Sequence, residues 1–468
     1  VRYYVAGDQL KYDIVVYPGA DVSKIQMHYE GADRLNIRNN ELIVSTSVGE
    51  ARELKPYTFQ FADGKRETVQ CKYKIAGNTV SFDVKNYDKA STLIIDPALV
   101  FSSFSRSTTD NWGFTATPGP DGSFFGGGIV LSTGFPVSPG AYQTTGGGPG
   151  NSSVPPDIGI IRLSPDGRTR LYANYLGGNL TEQPHSIVAD AQGNLIIAGR
   201  TNSGSSFPGT LSGVGGAYDI FVAKLNPTGT ALIGSIRIGG SGDDGVNINP
   251  SRAAGVQTLL RNYGDDGKSE VILDGNNNIL LASCTQSQNF YLKGESQTTF
   301  GGKQDGVVIK INPNANAVIW STYLGGRDED AAFVLSYNPL DPQHIFVAGG
   351  TASGNFPGTV AGVYQTNRSG GDADGYVADL FDNGTTVSLL RSTYLGTPQT
   401  DLVYGIQFDK KGFPYIMGTS TGNWPVINTT SSPTTYSVAN SRQFIAKLKL
   451  DLSGFIYSTT FGTPGALA

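Results

Sequence analysis

The sequence predicts an all-β chain: an N-terminal antiparallel β-sandwich over residues 1–97, then a β-propeller over 98–468. Two observations carry this. Apolar runs are short, of strand length, and each is closed by Gly, Pro, Asn or Asp. Beyond residue 100, one unit of four such runs recurs at intervals of about 60 to 90 residues. A four-stranded sheet cannot cover both its faces alone, and repeated sheets packed radially cover one another.

In the first part, Val1 to Val5, Asp13 to Tyr17, Ile25 to Tyr29, Leu42 to Thr46, Thr58 to Phe61, Thr68 to Ile75, Thr79 to Val84 and Thr92 to Ile95 read as strands. Turn groups such as Pro18-Gly19-Ala20-Asp21, Arg38-Asn39-Asn40 and Ala76-Gly77-Asn78 separate them. Val80-Ser81-Phe82-Asp83-Val84 alternates, as a strand with one face on a core does. Asp96-Pro97 closes the part.

The clearest repeat begins at Tyr175-Leu176-Gly177-Gly178. Ile187 to Ala189 leads into the turn Asp190-Ala191-Gln192-Gly193-Asn194. Leu195 to Ala198, Ile220 to Leu225 and Ala231 to Ser235 follow. The double-Gly step returns as Ile238-Gly239, Leu324-Gly325, Leu395-Gly396 and Phe461-Gly462. Units are expected at about 106–176, 177–237, 239–323, 325–394 and 396–460. The third is longest, and Ser251 to Arg261 in its extra stretch reads as a short helix. Val100 to Phe104 matches a fourth strand with no first three before it. The chain is therefore expected to be a fragment of a longer protein with six or more blades.

Composition agrees: Gly 62 and Pro 24 suit many turns, and only 16% of residues are charged. A net charge of −5 leaves no basic footprint for nucleic acid. No apolar run approaches membrane-spanning length. Cys71 and Cys284, in different parts, are expected as free buried thiols.

The motifs Gly177-Gly178, Gly193-Asn194, Gly199-Arg200-Thr201, Phe207-Pro208, Asp219 and Phe221 to Asn226 resemble the bacterial SBBP-type β-propeller repeat. Gly325-Gly326, Gly350-Thr351, Phe356-Pro357, Asp374 and Tyr376 to Leu380 match it again. Tyr12-Asp13, Pro18 to Asp21, Gly31 to Asp33, Lys55-Pro56-Tyr57, Tyr87-Asp88 and Ile94 to Pro97 resemble the β-domain that precedes such repeats in large Bacteroidetes surface proteins. The resemblance implies secretion to the cell surface by the type IX route, with a gliding-motility-associated C-terminal domain that this sequence does not contain.

Asp157, Asp219, Asp305 and Asp374 each precede a third strand, and Gln443 takes that place in the last unit. Recurrence in every blade favours structural turn caps over a ligand site. Acids also follow the double-Gly steps, as Asp243-Asp244, Asp328-Glu329-Asp330 and Asp401. Asp243, Asp244, Asp372 and Asp374 are the calcium candidates, although none fits an EF-hand loop. No other cofactor is expected. His28, His185 and His344 are scattered, and no zinc motif or nucleophile elbow is present. Gly126-Gly127-Gly128 lacks the Lys-Ser/Thr of a phosphate loop. Phe135-Pro136, Phe207-Pro208, Phe356-Pro357 and Trp424-Pro425 recur at one structural place and read as inter-blade packing.

The function expected from this is a non-enzymatic, secreted or cell-surface interaction scaffold or adhesin. Its expected partners are other surface or secretion-machinery proteins, and glycans in the alternative reading as a glycan- or calcium-binding module. A polysaccharide-acting propeller enzyme is the third reading, since no singular cluster of acids, His and Arg stands out in the sequence.

Overall fold

The computed structural model describes all residues except 1, 7–8, 31, 47–48, 63–64, 98–106, 147–155, 166, 168, 248–256, 259–260, 263–266, 429–436, 463 and 466–468. The chain divides into two compact units, Val1–Ser102 and Ser103–Ala468. Among the described residues, no helix is long and apolar enough to cross a membrane.

The first unit has two layers. Its larger sheet runs in the order Arg2–Ala6, Gln9–Val16, Leu93–Pro97, Pro56–Ala62, Lys65–Ala76, Thr79–Lys85 and Met27–His28. The smaller holds Arg34–Arg38, Glu41–Thr46 and Gly49–Glu53. Leu42 and Val44 of the small sheet enter one core with Ile14, Tyr73, Phe82 and Ile95 of the large one. Arg34–Arg38 and Gly49–Glu53 were not legible as strands. They carry few β-branched residues and are held by pairing to either side of Glu41–Thr46. The expected strand at Ile25 to Tyr29 shrinks to Met27–His28. A 3₁₀ turn at Val22–Lys24 precedes it, where Asp21 accepts the Ser23 N–H at 3.0 Å.

Among the described residues, the second unit holds a two-stranded hairpin and five larger sheets, each with four main strands that pair antiparallel in chain order, as blades do. Their first and last strands are Asn111–Pro118 and Arg170–Leu176, Glu182–Ala189 and Leu232–Gly239, Glu270–Leu273 and Val318–Leu324, Asp330–Asn338 and Val387–Leu395, and Asp401–Phe408 and Phe455–Phe461. The second blade adds a short outer strand, Thr210–Gly213, parallel to Leu232–Gly239. The turn after the second blade's first strand needs Gly193 at φ +80, and Asp190 closes it by accepting the N–H groups of Gln192 and Asn194. In the stretch read as a helix, Gln257–Thr258 pairs with Arg261–Asn262 as a strand hairpin. Its other residues, Ser251 to Val256 and Leu259-Leu260, lie outside the described ones, as does Val100 to Phe104.

Apolar cores lie between consecutive blades. Phe207 sits with Ile158 and Leu176 of the first blade. Phe356 sits with Trp320 and Leu324 of the third. Trp424 joins the core shared by the fourth and fifth. Phe290, which no Pro follows, fills this place between the second and third. Each ring also contacts an aromatic of its own blade: Phe356 lies 4.2 Å from Tyr376, and Trp424 stacks 3.5 Å from Phe444. Phe135 of the first blade differs. Its cluster contains Val130, Ala173 and Tyr175, all from the same blade. Among the described residues, no apolar cluster joins the fifth blade to the first. Cys71 and Cys284 are both buried, and neither forms a disulfide.

Candidate functional site

The recurring Asp residues sit at the blade junctions. Asp219 accepts the Gly216 N–H at 3.0 Å, Asp305 the Gly301 N–H at 2.9 Å and Asp374 the Ser369 N–H at 2.6 Å. Asp157 stands in the same place, against Gly177. Opposite each lies an acid of the next blade: Glu182, Asp330 and Asp401 open its first strand, and Asp244 bridges to Thr285 of its second. These acids accept the N–H groups of Gly178, Gly240, Gly326 and Thr397 at 2.6–3.0 Å. They also take hydroxyl donors: Thr201 to Glu182, Thr285 to Asp244, Ser353 to Asp330 and Thr397 to Asp401. A glycine lies between the two acids because nothing larger fits. A Cβ on Gly325 would come within 2.5 Å of Asp305 Oδ1 and 2.9 Å of Asp330 Oδ2. Burial pushes Asp244, Asp305 and Asp330 up to about 7 and Asp374 to about 6.

A repeated amide was missed in the sequence. Gln143, Gln297 and Gln365 each accept the N–H of the first Gly of the step, Gly177, Gly325 and Gly396. The signal was a Gln followed by Thr shortly before each third strand.

The calcium candidates are not brought together. Asp244 and Asp374 belong to different junctions. Asp372 is exposed and donates its backbone N–H to Thr400, and the Asp243 carbonyl accepts the Gln286 N–H. Among the described residues, no group of three or more His, Cys, Asp or Glu is arranged to hold a metal ion.

The innermost strands form a second place of interest. In four of the five blades the first strand carries a bulge, at Phe114, His185, Phe333 and Tyr404. A bulge re-aims one side chain. Phe333 stacks on Tyr404, with centroids 5.6 Å apart. The third blade contributes Lys268, whose ammonium lies 5.3 Å from the Tyr404 ring centroid and donates to the Tyr404 carbonyl at 3.2 Å. Glu270 accepts the Leu335 N–H, and His185 Nδ1 lies 3.0 Å from Ser269 Oγ. Burial pushes Lys268 down and Glu270 up, which narrows the gap between an acid and a base. His185 looked isolated because its partners come from another blade.

A third feature is the uncovered face of the first blade. Trp112 is 61% exposed and Phe124 38%. They border a cavity of about 410 Å³ floored by Gly126, Gly128 and Gly159. At the last of these positions the fourth blade carries Tyr376.

Residues 1–98 match the family described as a domain of unknown function, DUF7948. No curated protein matches the chain. A sialidase from Streptococcus pneumoniae is 9% identical, over 90% of this chain and 74% of that one, with a TM-score of 0.34. A GH43 β-xylosidase/α-arabinofuranosidase from a compost metagenome is 11% identical, over 67% and 86%, with a TM-score of 0.27. A protein of unknown function from Dyadobacter fermentans is 10% identical, over 77% and 85%, with a TM-score of 0.37.

The expectation that the chain is not an enzyme is corrected by these neighbours. Sialidase, xylosidase and glucose dehydrogenase are names carried by structures of similar architecture. The lack of a catalytic motif along the sequence does not exclude a site assembled from several blades.

Proposed function

We propose that the chain is a ligand-binding β-propeller of a secreted, surface-displayed protein, acting as an adhesin-type interaction module. The observation that supports it is the first blade's uncovered face, where exposed Trp112 and Phe124 flank a glycine-floored cavity. An indole with one open face is a platform for a flat apolar surface, such as one side of a sugar ring. Glycines below it allow close approach. The SBBP-like repeats are what suggests the reading as a Bacteroidetes type IX secretion substrate. A glycan array run with wild type and Trp112→Ala, with and without EDTA, tests the module. Binding lost in the variant and indifferent to EDTA is expected. Binding that EDTA abolishes and Trp112→Ala leaves intact would point to calcium and away from this face.

The second reading is a polysaccharide-acting enzyme, favoured by Glu270 at the start of the third blade's first strand and Lys268 just before it, with ionisation shifted toward each other. Screening polysaccharides for turnover tests it, with Glu270→Gln as the control.

A further inference from the structure

The blade junctions show the same electrostatic problem handled in different ways. Between the second and third blades, Arg237 pairs with Asp219 at 3.1 Å, both buried, and supplies the positive charge. After the fifth blade, Gln443 puts a neutral amide against Gly462, where Asp374 has a carboxylate against Gly396. Between the third and fourth blades, neither device is present. The position of Arg237 is taken by Tyr323, whose hydroxyl donates to the Ser287 carbonyl. Asp305 and Asp330 are fully buried on either side of Gly325. Two buried carboxylates without a counter-charge cannot both stay ionised, because each raises the cost of the other's charge.

Among the described residues, the groups around the pair do not supply that charge. Asp305 Oδ2 accepts from the Gly301 N–H and the Gln297 amide, and Asp330 Oδ2 from the Gly326 N–H and the Ser353 hydroxyl. Thr351 adds a hydroxyl beside Asp330. Tyr376, from the fourth blade's third strand, donates its hydroxyl to the Ala331 carbonyl. The nearby cation is Lys303, 59% exposed and held by Asp328 and Glu329. Asp244 lies further along, across Tyr323, and is itself an acid. Asp305 Oδ1 has no hydrogen-bond partner among the described residues.

We propose that Asp305 and Asp330 share one proton in the folded protein, making the junction between the third and fourth blades a proton-binding site that holds best in mild acid. The proton comes from water on folding and returns to it on unfolding or at high pH. A pair sharing a proton carries one negative charge, which the surrounding N–H and hydroxyl donors can solvate. A divalent cation is the competing way to neutralise the pair. It is disfavoured because the site offers two carboxylates and several donors, which repel a cation, and no third acidic ligand among the described residues.

The sign follows from the raised folded values. The folded pair binds more protons than the unfolded chain between the ordinary aspartate range and about pH 7. Stability at this junction therefore falls as pH rises through that window.

The test is a thermal and urea titration of the whole chain from pH 5 to pH 8, with wild type, Asp305→Asn and Asp330→Asn, each with and without calcium. Wild type should lose stability toward pH 8. Asp305→Asn, which copies the neutral amide of Gln443, should flatten the profile and be the more stable protein at pH 8. Infrared difference spectra in D₂O should show a protonated carboxyl band in wild type at pH 6 that weakens in the variant. Asp244 and Asp374 are also raised, so the band is assigned by its weakening in Asp305→Asn or, should that variant fail to fold, in Asp330→Asn. Equal pH slopes in wild type and Asp305→Asn, or no protonated carboxyl band, would refute the shared proton. A calcium-dependent gain at pH 8 that is confined to wild type would replace it with a cation site.

Discussion

Lys224 and Asp190 form a buried ion pair 2.8 Å long, tying the third strand of the second blade to the turn between its first two strands. The pairing recurs as Arg162 with Asp121, Lys310 with Asp274, and Lys447 with Asp409. Lys224 and Lys310 also reach the next blade, at the Pro313 carbonyl and Asp382. The fourth blade reverses the polarity: Asp379 takes the third-strand place and binds His344 at 2.8 Å.

Removing one partner of such a pair leaves the other buried and uncompensated. Lys224→Ala should cost about 3 to 5 kcal/mol, read from urea midpoints at pH 7. A cost near that of an exposed pair would mean the Asp190 carboxylate finds water. Burial pushes Asp190 up, but the bonds from Lys224 and Asn194 outweigh it and hold the group below its ordinary value. A depressed value gives stability that is present above the unfolded value and lost as pH falls through the folded one. Acid should therefore weaken the turns while it favours the Asp305–Asp330 junction.

The packing argument separates two equivalent aromatics. Phe356→Ala opens a cavity in a core shared by the third and fourth blades and should cost about 3 to 5 kcal/mol. Phe135→Ala acts on a cluster formed by the first blade alone and should cost less. Equal losses would indicate that a partner covers the first blade's face in solution.

Gly325→Ala tests the close approach at the junction. Its backbone is not in the left-handed region, so the obstacle is space between two carboxylates. The added methyl should destabilise the chain by about 1 to 3 kcal/mol. Gly354→Ala, where a Cβ meets nothing within 4 Å, is the matched control and should be close to neutral in the same melt.

Both thiols should react with a thiol reagent only once the chain is unfolded, since Cys71 and Cys284 are buried and unbridged. Burial also pushes the Cys71 thiol up, which keeps it protonated and slow. Rapid labelling of the native protein would show that one of these cores opens.

The sequence alone determined the architecture. Strand-length apolar runs, the turn at Asp190 to Asn194 and the recurring double-Gly step are local signals, and local signals survive in a single sequence. It also showed that Asp219, Asp305 and Asp374 recur. The sequence did not show what lies opposite them, because Asp244, Asp330 and Asp401 belong to the following blade and meet them only when sheets pack. The same holds for His185 with Ser269, and for Lys268 with Tyr404. Tertiary structure alone decided which acids have a counter-charge. That depends on whether Arg237, Tyr323 or Tyr394 fills one position beside the junction, and a buried charge takes its ionisation from its neighbours in space.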